Sequence, residues 1–181
     1  MRIIRRLLDI DLGRGGSAFL WGPRRAGKTW WIREVFSKRP GVKVIDLLET
    51  DTFAEYASRP ALLRERWAGG TTVIDEIQKV PALLDEVHWL IENRGASFLL
   101  TGSSARKLRR GHANLLAWRA RRHELGPLSC TEIRGFDPVR AMTTGLLPPH
   151  YLSDDPAADL RSYVADYLKE EIAAEAATRN I

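Results

Sequence analysis

The stretch Gly22-Pro23-Arg24-Arg25-Ala26-Gly27-Lys28-Thr29 fits the pattern GxxxxGK[ST], in which a loop wraps around phosphate groups. The loop follows an apolar run, residues 18–21, and precedes a segment of helical character that begins at Lys28. Glycines let the backbone turn its N–H groups onto phosphate oxygens, Lys28 can reach the outer phosphates, and the Thr29 hydroxyl can ligate Mg²⁺. The pattern therefore predicts a nucleoside triphosphate site, with candidate binding residues Gly22, Pro23, Arg24, Arg25, Ala26, Gly27, Lys28, Thr29 and Trp30.

Two carboxylates follow the apolar run Thr71-Thr72-Val73-Ile74, at Asp75 and Glu76. A buried parallel strand is apolar up to its carboxyl end, and ligands of open α/β sheets bind at that end. We therefore expect Asp75 to hold Mg²⁺ beside Thr29, and Glu76 to polarise a water molecule for attack on the terminal phosphate. The alternative is that both acids only stabilise the start of the next helix.

A third apolar run, residues 96–100, ends in Thr101-Gly102-Ser103-Ser104. The hydroxyl of Thr101 is expected to bond the attacking water or a phosphate oxygen, and so to sense whether the terminal phosphate is present. Ser103 or Ser104 can also cap the following helix, and the two interpretations are compatible.

Strand-like and helix-like segments alternate along the chain. Strands are predicted near residues 17–22, 42–47, 71–76, 96–102 and 121–125, and helices over 28–38, 51–68 and from Pro81 to Gly95. This alternation predicts an α/β fold of three layers, in which a parallel sheet of about five strands has helices on both faces.

The last part of the chain differs in character. After a turn-rich stretch, residues 143–149, Asp155 and Pro156 favour the start of a helix. Its apolar positions form one stripe: Leu160, Tyr163, Val164, Tyr167, Leu168 and Ile172. We expect a nucleotide-binding domain over residues 1–145 and a helical extension over 146–181. The stripe needs a partner surface, so the extension either packs on the first domain or begins a further one.

Length and composition agree with one modest domain plus an appendage, since the 181 residues are 44% hydrophobic. No run approaches the 18 apolar residues of a membrane span, and the first eight residues mix charged and apolar side chains at helical spacing. A cytoplasmic protein without a membrane partner is therefore predicted. Cys130 is the single cysteine, which excludes an internal disulfide.

The chain carries a net charge of +5, and no acidic residue occurs from Asn93 to His123. The basic cluster in this window comprises Arg94, Arg106, Lys107, Arg109, Arg110, Arg119, Arg121 and Arg122, interleaved with His112 and Trp118. Such a cluster can bind the phosphate backbone of a nucleic acid, which makes nucleic acid a candidate partner of residues 94–122. It can equally contact a neighbour's nucleotide or an acidic surface.

Several stretches together resemble the AAA-type predicted ATPases of bacteria and archaea. They are the GPRxxGKT loop, Ile74-Asp75-Glu76-Ile77-Gln78, Leu100-Thr101-Gly102-Ser103-Ser104, Leu125-Gly126-Pro127-Leu128-Ser129 with Thr131-Glu132, and residues 163–172. The combination of loop, DEIQ and TGSS is far more specific than any one motif. The resemblance implies an AAA+-like P-loop NTPase fold, ATP hydrolysis, and ATP and Mg²⁺ as cofactors. Members usually carry a second, C-terminal domain, and we expect the helical extension over 146–181 to be the start of such a domain.

The chain departs from the family pattern at two places. The family commonly has Leu-Ala-Gly-Arg before its fifth strand, whereas this chain has Leu116-Ala117-Trp118-Arg119. Arg119 is the predicted arginine finger, which would reach the nucleotide of a neighbouring subunit in a homo-oligomer; Arg121 is the alternative. Trp30 and Trp31 stand where smaller or aliphatic residues are usual, and packing on the sheet is favoured over crowding of the nucleotide.

The predicted catalytic residues are thus Glu76, Lys28, Thr101 and Arg119, and the predicted metal ligands are Thr29 and Asp75. The favoured function is Mg²⁺-dependent ATP hydrolysis coupled to a conformational change in a partner or missing domain. The alternative is a nucleotide-gated nucleic-acid or protein binding module with little or no turnover. A small-molecule phosphotransferase is less favoured, because Glu76 directly follows Asp75 and no acceptor-binding insertion is evident.

Overall fold

The computed structural model describes residues 3–13, 16–103, 116 and 119–166. The chain divides into two compact units, Leu7–Gly126 and Met1–Arg6 with Pro127–Ile181. This division falls earlier along the chain than the 145/146 boundary expected from the sequence. That boundary, and the further domain it implies, stay predictions.

The larger unit is built around a parallel sheet. Its strands within the described residues are β1 (Ser17–Trp21), β2 (Val42–Asp46), β3 (Thr71–Asp75), β4 (Ser97–Gly102) and β5 (Ala120–Glu124). They lie in the order β2-β3-β4-β1-β5, and every neighbouring pair is parallel. Because β4 is inserted between β1 and β3, the carboxyl ends of these three strands lie side by side.

The helices of this unit are α1 (Lys28–Trp31), α2 (Thr50–Ser58), α3 (Leu62–Glu65) and α4 (Leu83–Arg94). After α1 the chain continues as a π-helical turn, Ile32–Phe36. At the end of this turn the Ser37 hydroxyl donates a hydrogen bond to the Arg33 carbonyl at 2.7 Å, and the Ser37 N–H donates to the Ile32 carbonyl at 2.8 Å. The single helix expected over 51–68 is two helices, because Pro60 forces Arg59 out of helical geometry.

Apolar side chains cover both faces of the sheet. On β4, Phe98 and Leu100 pack in one cluster with residues of α2, α3 and α4, whereas Leu99 packs in a second cluster with Trp31 and Ile10. Successive residues of a strand point to opposite faces, so this alternation produces the three layers. The α/β fold class expected from the sequence, three layers with a parallel sheet of about five strands, is confirmed.

The smaller unit contains α5 (Pro138–Thr144) and α6 (Pro148–Tyr151), followed by a helix over 156–166. Leu128, Ile133 and Tyr151 form its apolar centre. The carboxylate of Asp155 accepts a hydrogen bond from the Ala158 N–H at 3.2 Å, as expected for the predicted helix cap. The stripe residues Tyr167, Leu168 and Ile172 lie outside the described residues.

Across the described ranges, each helix is too short or too polar to span a lipid bilayer.

Candidate functional site

Gly22 opens the phosphate loop at a point where the chain is tightly packed. A Cβ atom here would overlap the carbonyl oxygen of Leu125 and lie 3.1 Å from its carbonyl carbon. Leu125 is held in place because its N–H donates to the Trp21 carbonyl at 2.8 Å. The first glycine of the motif is therefore required by the close approach of the backbone that follows β5.

The centre of the loop adopts left-handed backbone geometry. Arg25 has φ 66° and Gly27 has φ 93°. Glycine takes this conformation without strain, whereas a residue with a side chain takes it at a cost. The Ala26 N–H donates to the Pro23 carbonyl at 3.3 Å, which closes the turn. Left-handed residues directly before a helix build the concave backbone surfaces that bind anions.

Lys28 is buried at the start of α1, with 6% of its surface exposed. Its ammonium group donates to the carbonyl oxygens of Gly22 at 2.7 Å and Pro23 at 3.0 Å. Burial lowers the pKa of Lys28, although the nearby carboxylates of Glu76 and Asp75 oppose this effect; Arg24 adds to it. The loop thus encloses a cation that has been withdrawn from water.

Asp75 lies at the centre of the site and is almost fully buried, with 1% exposed. Its Oδ2 accepts a hydrogen bond from the Thr29 hydroxyl at 2.9 Å. Its Oδ1 accepts one from the hydroxyl of Thr101, which is fully buried at the end of β4. The structure therefore brings together the predicted metal ligands, Thr29 and Asp75, and the predicted sensor, Thr101.

Glu76 leaves the strand in a left-handed conformation, with φ 60° and ψ 45°. This turn directs the chain into a short 3₁₀ helix, Ile77–Lys79. The Glu76 N–H points to the Thr101 hydroxyl oxygen at 3.4 Å, and its carboxylate accepts a hydrogen bond from the side-chain amide of Gln78. The two consecutive acids are therefore separated: Asp75 is buried under the sheet edge, and Glu76 is partly exposed beside it.

Gln78 is the residue of the site that the sequence analysis did not single out. It lies two positions after Glu76, within the DEIQ motif, and its amide nitrogen is also 3.4 Å from the Ser103 hydroxyl. The sequence signal that could have identified Gln78 was its place in the DEIQ motif. The contact between Gly22 and the backbone of Leu125 had no sequence signal, because a backbone carbonyl is common to every residue type.

Trp30 lies next to the loop and is partly buried. It packs against the apolar cluster of Trp31, which is fully buried. Both side chains are thus engaged with the core below α1, in line with the packing interpretation.

The structure does not bring Arg119 to this site. Its guanidinium donates to Glu92, near the end of α4. Arg119 directly precedes β5, whose first residue Ala120 is level with Ser17, whereas the phosphate loop follows Trp21 at the other end of β1. Arg119 therefore lies at the amino ends of the parallel strands, whereas Lys28 lies at their carboxyl ends. The role of Arg119 as a finger stays a prediction.

Arg121 is level with Ala18 on β1 and lies nearer the amino ends of the strands. Of the basic cluster, Arg94, Arg119, Arg121 and Arg122 belong to the described residues. The members between 106 and 112, and Trp118, lie outside them.

The residues present fit ATP and Mg²⁺. Hydroxyl and carboxylate oxygens are hard donors, and magnesium is usually held by one or two carboxylates together with substrate phosphates. Thr29 and Asp75 supply such a donor pair 2.9 Å apart, next to the buried ammonium of Lys28.

Comparisons with known proteins place the chain in a family. Comparison with curated proteins gives no match. Among solved structures, the Aeropyrum pernix ORC1 protein in complex with DNA is similar over 83% of this chain and 49% of that chain, with 16% identity and a TM-score of 0.45. The Aeropyrum pernix ORC2 protein (ADPNP-ADP complexes) is similar over 67% of this chain and 44% of that chain, with 14% identity and a TM-score of 0.39.

The chain thus spans less than half the length of either solved structure. The family model described as AAA domain matches residues 15–134, which include the phosphate loop, Asp75, Glu76 and Thr101. Because this match covers well over half of the sequence, the chain belongs to the AAA domain family, whose members are nucleotide-binding modules of the ATPase type.

Proposed function

We propose that this chain binds Mg²⁺·ATP at the carboxyl ends of β1, β3 and β4 and hydrolyses it. The observation that carries the proposal is the buried carboxylate of Asp75, which accepts one hydrogen bond from Thr29 and another from Thr101. These contacts join the loop, the metal-binding position and the sensor position in one centre. Membership of the AAA domain family supports ATP as the nucleotide.

Lys28 supplies the positive charge for the terminal phosphates. Its ammonium now donates to two neutral carbonyl groups, whereas a phosphate oxygen carries negative charge and adds a Coulomb attraction to the hydrogen bond. Exchange of the carbonyls of Gly22 and Pro23 for phosphate oxygens is therefore favourable. Thr29 and Asp75 would hold Mg²⁺, which when bound neutralises charge on the phosphate oxygens.

Glu76 is the proposed base. One carboxylate oxygen accepts from Gln78, and the other accepts no hydrogen bond from the described residues. That oxygen can accept a hydrogen bond from a water molecule and take its proton as the water attacks the terminal phosphate. Thr101, which lies between Glu76 and Asp75, would report the presence of that phosphate.

Coupling to a partner is the further part of the proposal. Arg119 lies too far along the sheet to serve its own site, so it would act on a neighbouring subunit in a homo-oligomer. Hydrolysis would then drive a change in a partner or in a second domain. A cytoplasmic location belongs to the same proposal.

Steady-state ATP hydrolysis across a series of protein concentrations tests this function. Turnover should fall to a small residual rate in Glu76→Gln with nucleotide binding retained, and binding itself should be lost in Lys28→Ala. Lys38→Ala is the matched control, because Lys38 is exposed and pairs only with Glu34 among the described side chains. Binding that depends on Lys28, without turnover at any concentration, would refute the ATPase proposal.

One observation favours the second candidate, a nucleotide-gated binding module with little turnover. Arg94, Arg121 and Arg122, the exposed members of the basic cluster within the described residues, could contact a phosphate backbone. Fluorescence anisotropy with labelled single-stranded and duplex DNA, with ATP and with ADP, tests it. This candidate requires an affinity that depends on the nucleotide and falls steeply with salt.

A further inference from the structure

Gln78 is the only glutamine of the chain. Its side-chain amide nitrogen donates to the Glu76 carboxylate and lies 3.4 Å from the Ser103 hydroxyl oxygen. The opposite orientation of the amide would set its carbonyl oxygen against a carboxylate, and two acceptors repel each other. The nitrogen therefore faces Glu76, and its two N–H groups connect the residue after β3 with the residue after β4.

This orientation leaves the amide oxygen of Gln78 buried without a hydrogen-bond partner among the described residues. A buried acceptor without a donor lowers stability, and each such group in a native structure calls for an explanation. An apolar side chain of the same length would avoid this cost. Unlike an apolar side chain, Gln78 supplies a pair of N–H donors, which are directed at Glu76 and Ser103.

The space for this amide exists because residue 102 is glycine. A Cβ at Gly102 would overlap the Gln78 amide oxygen, approach its Cδ to 3.3 Å, and lie 2.6 Å from Cζ3 of Trp21. The amide is thus enclosed by the ends of β1 and β4. A side chain confined in this way can restrain a more flexible one that it contacts.

From these contacts we infer that Gln78 is a positioning residue for Glu76, an inference that rests on the proposed ATP hydrolysis. It fixes one carboxylate oxygen of Glu76 to the end of β4, beside Thr101, and leaves the other directed to the attacking water. The glutamate side chain has several rotatable bonds, and restricting it to a productive geometry removes an entropic cost from the reaction. Gln78 acts through Glu76 and does not contact the nucleotide in this role.

Gln78→Met tests the role, because methionine has a similar length but no N–H donor. We expect kcat to fall about tenfold or more, as for loss of a hydrogen bond to a charged group, with KM and ATP affinity within about twofold of wild type. In a Glu76→Gln background the same substitution should change the residual rate by less than about twofold. An unchanged or higher kcat in Gln78→Met, or an equal loss in both backgrounds, overturns the inference.

A second measurement needs no turnover. The chain has one glutamine and three asparagines, so its ¹H–¹⁵N spectrum contains four side-chain NH₂ groups, and Gln78 is identified by its loss in Gln78→Met. In Glu76→Ala the Gln78 signals should shift, whereas those of Asn93, which donates to the Trp89 carbonyl at 2.8 Å, should not.

The two measurements separate the two claims. Gln78 signals that do not respond to Glu76→Ala overturn the inference, whatever the turnover of the wild type. Signals that shift in a wild-type background that lacks hydrolysis refute the proposed function but support the contact that positions Glu76.

Discussion

A single methyl group added by Gly22→Ala should disturb both stability and nucleotide binding. The new Cβ would overlap the Leu125 carbonyl oxygen and lie 3.1 Å from its carbonyl carbon. Leu125 cannot retreat freely, since its N–H bonds the Trp21 carbonyl at 2.8 Å and its side chain is buried in the cluster of Trp31. Overpacking of this kind costs about 1–3 kcal/mol. For a chain of this size, that lowers Tm by roughly 2–12 °C.

The same shift moves the carbonyl oxygens of Gly22 and Pro23, which hold the ammonium of Lys28. A displaced loop would misplace the ammonium of Lys28 relative to the phosphates. Because a hydrogen bond to a charged group contributes about 1.5–3 kcal/mol, the affinity for ATP should fall about tenfold or more. Conformational strain adds nothing to this estimate, because Gly22 is not among the residues with positive φ.

Thermal unfolding by circular dichroism and titration calorimetry with Mg²⁺·ATP measure the two effects. Gly126→Ala is the matched control, because Gly126 directly follows Leu125 and a Cβ added there would meet nothing within 4 Å. Its Tm and ATP affinity should stay close to those of the wild type. If Gly22→Ala and Gly126→Ala unfold within about 1 °C of each other and bind ATP equally, the packing argument is refuted.

Three further predictions concern the loop lysine, the sensor and the candidate finger. Burial holds the pKa of Lys28 below its usual 10.5, so the unfolded chain binds that proton more tightly. Relative to Lys28→Met, the wild type should therefore gain unfolding free energy as the pH rises from the folded pKa towards 10.5. Urea unfolding of both proteins over this pH range measures the difference in unfolding free energy, and a difference that does not change with pH would contradict the prediction. Thr101→Val keeps the side-chain shape but removes the donor to Asp75; it should lose about 1–3 kcal/mol of unfolding free energy and at least about tenfold in kcat, whereas Thr101→Ser, measured alongside, should retain turnover. Arg119→Ala should abolish any rise of specific activity with protein concentration and leave ATP affinity unchanged; a retained rise in the hydrolysis assay would exclude Arg119 as the finger.

Much of the larger unit could be predicted from the sequence because its signals are local. The strands β1, β3 and β4 are short, mainly apolar runs with a turn residue or polar residue at the end, and the bounds of all five strands agree with expectation to within one or two residues. Thr29, Asp75 and Thr101 were predicted to lie close together because the carboxyl ends of parallel strands share one edge of the sheet. Their hydrogen bonds agree with that expectation.

Two features have local causes that the sequence analysis did not weigh enough: the split of the predicted 51–68 helix at Pro60, and the π-helical turn before Ser37.

Other features depend on contacts between distant segments. The packing of Leu125 against Gly22 and the enclosure of Gln78 over Gly102 are not local. They arise from the order of the strands, and no hydrophobic pattern within one segment encodes which strands become neighbours.

The sequence by itself determined the chemistry of the site: a phosphate loop with a lysine and a threonine, two carboxylates after one strand, and a hydroxyl after another. The tertiary structure decided which of these groups contact one another. Insertion of β4 between β1 and β3 lets Asp75 accept from Thr29 and Thr101 at once, and the parallel direction of β5 sets Arg119 at the far edge of the sheet, against Glu92. The physical reason is that residue type and spacing fix what a segment can do, whereas strand order and direction fix which segments meet.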